Sequence, residues 1–407
     1  MKMKKLLAGV LSAAMVATMI PASMAFSGVS AAEDTGNGLV ASYDFTKGQT
    51  NGWSKYNGQE RTTGNENITE SADGITFVTN AYNTYSLNNP LAGKVSDGGF
   101  SVIVDVSVPE NQAQNEFEGL FGFNNHSTWD WFGVTNSGLS MNMNATATPY
   151  TQRFFDLNVT VPVATTDMSN AHYVLTVDAD AITVYVNGQQ IEQYIGTAGK
   201  VAGDTTADVT YGQAVMALVN VAGYFDLGYW RNQGDWAAWG SMMTVGGVSF
   251  YNTAMTEDEV EAEYIASQLD LEVVGMQKGT LGDDSEINAI RFVANMDGTM
   301  TEQYNDGTIV NAGWAWEKND AFSDTYTPVK VTTVTSDASL LAEEGNLAYT
   351  MVFESSTEAD YYSVVPYVDI QVNGETYTFC YNGRGASYVS DSSKLVYAPV
   401  NFVGTGA

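Results

Sequence analysis

The sequence predicts an all-β protein made of two successive sandwiches, and three features carry that prediction. Short runs rich in Val, Ile, Thr, Tyr and Phe alternate apolar with polar residues, clusters of Gly, Asn and Asp separate the runs, and an Asn-Gly pair closes one hairpin in each half. Alternation at period two sends successive side chains to opposite faces of a sheet. Each run therefore has one face to bury.

The first 31 residues read as a secretory signal peptide. Lys2, Lys4 and Lys5 precede an apolar run from Leu6 to Ile20, and small residues follow. Cleavage fits after Ala25 or after Ala31, and the second is favoured because acidic sequence begins directly behind it. No later segment reaches the roughly eighteen apolar residues that a membrane-spanning helix needs. The expected location is outside the cell, with surface association left open.

Residues 32–270 form the first expected domain. Its strand-like runs are LVASYDF, GITFVTN, FSVIVDVSV, GLFGF, HYVLTVD, ITVYVNG and VGGVSFYN, with Asn187-Gly188 as the hairpin pair. One helix is expected, in TAMTEDEVEAEYIASQLD, where Thr256 and Glu259 make a capping box ahead of Val260, Tyr264 and Leu269. It closes the domain. Residues 271–407 bring a second set: LEVVGMQKG, INAIRFVANM, AGWAWEK, TPVKVTTV, LAYTMVFE and YYSVVPYVDIQVNGETYTFCYNG, with Asn373-Gly374. This number of strands in one domain length fits an immunoglobulin-like β-sandwich.

Charge narrows the partners. The chain has 16 basic and 47 acidic residues, a net charge of −31, and loss of the leader lysines makes it more negative still. Such a field repels nucleic acid and anionic membranes and suits neutral partners such as polysaccharides. The single cysteine, Cys380, cannot form an intramolecular disulfide, so stability must come from apolar cores. Cys380 stands in a strand-like run with no histidine near it in sequence, which argues against a nucleophile.

The first domain resembles the LamG-like jelly rolls of the concanavalin A-like lectin/glucanase superfamily, through GLVASYDF, HYVLTVDADAITVYVNGQQI and VGGVSFYNTAMTEDEVEAEY. Gly246-Gly247 stands where that pattern has an acidic pair, so the role of the pair is not carried over. The resemblance implies two curved antiparallel sheets and functions that range over sugar binding, protein binding and adhesion. The second domain resembles immunoglobulin-like extracellular modules of Gram-positive anaerobes through IRFVANM, AGWAWEK and YYSVVPYVDIQVNGETYTF, and that likeness names no site.

Because the superfamily contains glucanases, catalytic patterns matter. Its retaining enzymes resemble one another in a strand that presents carboxylates at alternate positions. The nearest run here has Glu116 and Glu118 on one face, but Leu120 or Phe121 where the third carboxylate would stand. Two histidines, His126 and His172, cannot supply zinc-ligand spacing, and no Gly-x-Ser-x-Gly elbow occurs. GRGAS lacks the strand-to-helix context of a phosphate loop. The expectation is therefore a chain that is not an enzyme. Ca2+ suits hard oxygen ligands, and Asp44, Asp178, Asp180 and Asp235 are candidates by composition alone.

Aromatic residues among polar ones point to sugar. Pyranose rings have apolar C–H faces, so flat side chains stack on them while Asp, Asn and Gln hold the hydroxyls. In STWDWFGV, alternation puts Trp129 and Trp131 on one face and Asp130 on the other. In GYFDLGYWRNQGDWAAWG, Tyr224 to Tyr229 reads as a sandwich strand, and Trp236 and Trp239 follow in a loop with Asn232 and Asp235. These seven are the candidate ligand-binding residues: Trp236, Trp239, Trp129, Trp131, Asp130, Asn232 and Asp235. The expected function is lectin-like recognition of an extracellular glycan. A surface adhesion protein and a glycoside hydrolase with an unrecognised site are the alternatives.

Overall fold

The computed structural model describes residues 24–26, 38–57, 62–78, 83–108, 119–125, 131–135, 138–142, 170–200, 208–228, 242–269, 272–281, 287–296, 303, 306–319, 330–333, 347–354, 361–381, 384–387 and 396–397. Its first strands are β1 (Met24–Phe26), β2 (Leu39–Asp44), β3 (Ser54–Asn57), β4 (Thr62–Thr63), β5 (Ile68–Ser71), β6 (Gly74–Phe77), β7 (Asn83–Asn88) and β8 (Phe100–Ser107). Next come β9 (Gly119–Asn124), β10 (Trp131–Thr135), β11 (Gly138–Asn142), β12 (Ala171–Val177), β13 (Ala181–Val186), β14 (Gln189–Ile195), β15 (Thr197–Lys200) and β16 (Asp208–Thr210). Helix α1 (Tyr211–Val221), β17 (Tyr224–Gly228), β18 (Thr244–Tyr251) and helix α2 (Glu257–Ser267) complete this part.

Two antiparallel sheets form the sandwich. One runs β11-β10-β9-β17-β7-β3-β4; the other runs β14-β13-β12-β8-β18-β6-β5, with β2 also pairing β18. Their inner faces share one apolar core, to which β8 gives Val102, Val104 and Val106, β12 gives Tyr173 and Leu175, and β17 gives Phe225 and Leu227. Phe225 is a hub. Its ring lies 5.0 Å from Phe123 and 4.7 Å from Phe250, both in edge-on geometry worth about 0.5–1.5 kcal/mol per pair beyond area burial. The architecture is all-β and sandwich-like, as the alternation predicts, and is consistent with the jelly roll that the resemblance implies.

The turns follow their chemistry. Asn187 and Gly188 both have positive φ (53° and 76°) and close the β13–β14 hairpin, as Asn and Gly tolerate the left-handed region. Helix α2 begins at Thr256 with the expected capping box, Glu259 N–H to Thr256 Oγ1 and Thr256 N–H to Glu259 Oε2. Helix α1 is an addition to the sequence reading, which placed one helix only. It has the same device, Thr210 with Gln213, and it buries Ala214, Val215, Leu218 and Val219.

Further along lie β19 (Glu272–Leu281), β20 (Ile287–Met296), β21 (Ile309–Asn319), β22 (Lys330–Thr333), β23 (Leu347–Glu354), β24 (Tyr361–Val372), β25 (Glu375–Cys380), β26 (Arg384–Ser387) and β27 (Val396–Tyr397). β19-β20-β23 make one sheet, and β25-β24-β21-β22 make another, with β26 on β24 and β27 on β26. Strand β1, inside the expected leader, pairs in parallel with β25. Asn373 (φ 50°) and Gly374 (φ 91°) close the β24–β25 hairpin. Helix α2 touches this region through two hydrogen bonds: Tyr381 Oη donates to the Ala266 carbonyl at 2.9 Å, and Asn373 Nδ2 donates to Asp258 Oδ1 at 2.7 Å.

Candidate functional site on the seven-stranded sheet

The seven-stranded sheet has a polar face. On β17 the core takes Phe225 and Leu227, so alternation turns Tyr224 and Asp226 the other way. Strand pairing then fixes what stands beside them. Gly133 lies opposite Gly122, Gly122 opposite Asp226, Asp226 opposite Ser86, and Ser86 opposite Ser54. The adjacent rung runs from Trp131 to Asn124, from Asn124 to Tyr224, and from Tyr224 to exposed Asn88.

A row of small residues with one carboxylate therefore runs beside a row of amide and aromatic side chains. Gly122 offers no side chain across from Asp226, and the carboxylate meets the diagonal neighbour instead. Asn124 Nδ2 donates to Asp226 Oδ2 at 2.5 Å. Both partners are buried, Asp226 at 0% exposure, so the bond lies in a low dielectric. Ser86 is 7% exposed and its Oγ has no hydrogen-bond partner. A buried hydroxyl without a partner is uncommon. Toward the β3 edge the row surfaces at exposed Ser54.

Of the seven predicted site residues, Trp131 is on this face, 9% exposed at the start of β10. Trp129, Asp130, Asn232, Asp235, Trp236 and Trp239 lie outside the described residues, as do Glu116, Glu118 and His126. Asn124, Asp226 and Ser86 were not singled out in the sequence. Alternation in GYFDLG and GLFGFN gives their face, but only strand register brings them to adjoining rungs.

The other candidates are placed as follows. Asp44 accepts from Thr46 N–H at 3.1 Å and pairs with Lys47 Nζ at 2.8 Å; Asp178 Oδ1 accepts from Asp180 N–H and Ala181 N–H, both at 2.8 Å. These are local turn and cap contacts. Among the described residues no three or more His, Cys, Asp or Glu side chains group to hold a metal ion. Cys380 is buried, and burial pushes its thiol well above the ordinary range, which leaves it protonated and inert. His172, in β12, is buried on the outer face of the eight-stranded sheet and hydrogen-bonded to Asp105.

No family model and no curated protein matches this chain. Solved structures do align with it. Domain 4 of an extracellular GH43 arabinanase from Geobacillus stearothermophilus, solved with arabinotriose, is 16% identical over 58% of this chain and 100% of that one, with a TM-score of 0.36. A sialidase from Trypanosoma rangeli is 15% identical over 59% of this chain and 36% of the sialidase, with a TM-score of 0.34. A Crh5 transglycosylase in complex with NAG is 16% identical over 58% and 93%, also at 0.34.

All three are carbohydrate-binding or carbohydrate-active proteins by their descriptions, and two are enzymes. This corrects the expectation that the chain is not an enzyme: glycosidases and transglycosylases stand among its structural neighbours, so that exclusion is withdrawn. Likenesses this distant assign no substrate and no reaction. Among the described residues, no helix is long and apolar enough to cross a membrane.

Proposed function

We propose that this protein is secreted and recognises an extracellular carbohydrate on the polar face of the seven-stranded sheet. The observation that carries this reading is the polar row on that face, where buried Asp226, Asn124 and Ser86 lie on adjoining rungs that reach the surface at exposed Ser54 and Asn88. Ser54 and Asn88 supply a hydroxyl and an amide of the kind that sugar hydroxyls bond, over a buried polar support. Residues 231–239 begin three positions after β17 in the sequence. In this reading Trp236 and Trp239 stack on the pyranose faces, with Asn232 and Asp235 beside them.

Residues 32–270 act as the binding module, and residues 271–407 form an immunoglobulin-like domain that holds it away from its point of attachment. Retention of the purified protein on a panel of immobilised plant polysaccharides and mucin glycans tests the proposal, with soluble products assayed in parallel. At least one polymer retards the protein, and both Asn88→Ala and the Trp236→Ala/Trp239→Ala double variant weaken retention tenfold or more, about 1.4 kcal/mol. No retention on any polymer, or retention that both variants leave unchanged while still folded, overturns it. Product release would assign turnover as well as binding.

A further inference from the structure

The eight-stranded sheet also has an outer face, and it carries a cavity of about 510 Å³ lined by β2, β8, β12, β18 and the end of α2. Four carboxylates line it: Asp44, Asp73, Asp105 and Glu263. Against them the lining sets one ionisable base, His172, whose Nδ1 lies 2.7 Å from Asp105 Oδ1. The His172 side chain is 3% exposed, while that of Asp105 is 53% exposed. Asp105 thus spans the buried and open parts of the cavity.

Two groups in the lining are left unsatisfied: His172 Nε2, buried without a hydrogen-bond partner, and Glu263. Glu263 comes from α2, is 7% exposed and lines the cavity, and among the described residues its carboxyl has no hydrogen-bond partner. Burial raises its carboxyl to about 7, with the Asp105 charge adding to the rise and His172 opposing it. A carboxyl in that position gains from a cation delivered to it. For His172, burial draws the imidazole down, but Asp105 and Glu263 carry it up on balance.

The cavity suits an extended ligand better than an ion. Its carboxylates do not converge as a metal-binding group, as noted above. Hydroxyl groups of Ser42, Ser107, Thr244 and Ser249 lie along the same walls, with Ser42 and Ser249 bonded to each other at 2.7 Å. Gly246 and Gly247 keep the wall beside Asp105 low. A Cβ at Gly246 would make only ordinary contacts, at 3.7 Å to Asp105 Cβ and 3.9 Å to Thr46 Cγ2, so a side chain built there fits without a clash and extends into the cavity.

We propose that this cavity binds a small polyhydroxylated amine, with its ammonium group between Glu263 and Asp105 and its hydroxyls against Ser42, Thr244 and Ser249. The site lies on the sheet opposite the polar row and is independent of it. N-methylglucamine is the probe and sorbitol its uncharged counterpart, each titrated calorimetrically into the purified protein at pH 7.

N-methylglucamine binds at least tenfold more tightly than sorbitol. Its binding releases about half a proton, read from the dependence of the heat on buffer, because Glu263 must ionise to face the ammonium. Glu263→Gln and Gly246→Leu each weaken binding tenfold or more, the second by filling the space without touching the charges. Retention on polysaccharide is unchanged in both variants. No binding of the amine, equal binding of the two polyols, or no proton release overturns the proposal. So does undiminished binding in the folded Gly246→Leu protein, which serves as the test even if Glu263→Gln does not fold.

Discussion

Substitution of Glu263 by Gln should change how the sandwich responds to pH. In the folded protein this carboxyl titrates near 7, against an ordinary value of 4.5, and burial is the main cause. Between those values the folded state holds a proton that the unfolded state has given up, so stability falls as pH rises through that window. Below 4.5 both states are protonated and the penalty is absent. Above 7 it is complete. At about 1.36 kcal/mol for each pH unit, the interval corresponds to about 3 kcal/mol.

His172 acts in the same direction: its folded value is raised, so the stability it lends is present below 6.5 and is lost as pH climbs through the folded value. A comparison of wild type with Glu263→Gln removes the carboxyl and with it the upward pull of Glu263 on His172, and both changes favour the variant as pH rises. Urea unfolding at pH 4.5 and pH 8, followed by tryptophan fluorescence, should show the variant gaining on wild type by about 3 kcal/mol between the two. Trp53 packs in the sandwich core, stacked on Tyr85 at 5.1 Å, and reports on this unit. A stability difference that is the same at both pH values would refute the reasoning, since Gln would then differ from Glu263 only in packing.

Two further outcomes follow from the core and the turns. Phe225→Ala removes the ring that joins Phe123 to Phe250 and should cost about 3–5 kcal/mol, measured by the same urea titration. Gly74→Ala should destabilise far more than Gly48→Ala, although both glycines have positive φ. A Cβ at Gly74 would meet the Val245 carbonyl oxygen at 2.2 Å, whereas nothing lies within 4 Å of one at Gly48, leaving only the backbone cost of about 1 kcal/mol. Equal melting temperatures for the two would contradict this contact.

Local chemistry made much of the fold readable. Thr256 and Glu259 announced α2, Asn187-Gly188 announced its hairpin, and alternation in FSVIVDVSV separated Val102, Val104 and Val106 from Asp105. The signal for α1 was equally present in Thr210 and Gln213, and behind them Ala214, Val215, Leu218 and Val219 recur at helical spacing. The polar row, by contrast, was hidden. Asn124 and Asp226 are 102 positions apart, and nothing local to either reveals that β9 and β17 pair. The cavity was hidden likewise, since Asp105, His172 and Glu263 come from two strands and a helix, and each alone looks like an ordinary polar residue.

Strand β17 has five residues and two employers. Phe225 and Leu227 belong to the core, while Tyr224 and Asp226 belong to the polar face, and a shift of one residue would exchange the pairs. Insertion or deletion inside 224–228 would put a carboxylate among phenylalanines and a phenyl ring beside Asn124. New specificity on this face is thus open to substitution but closed to changes of length within the strand.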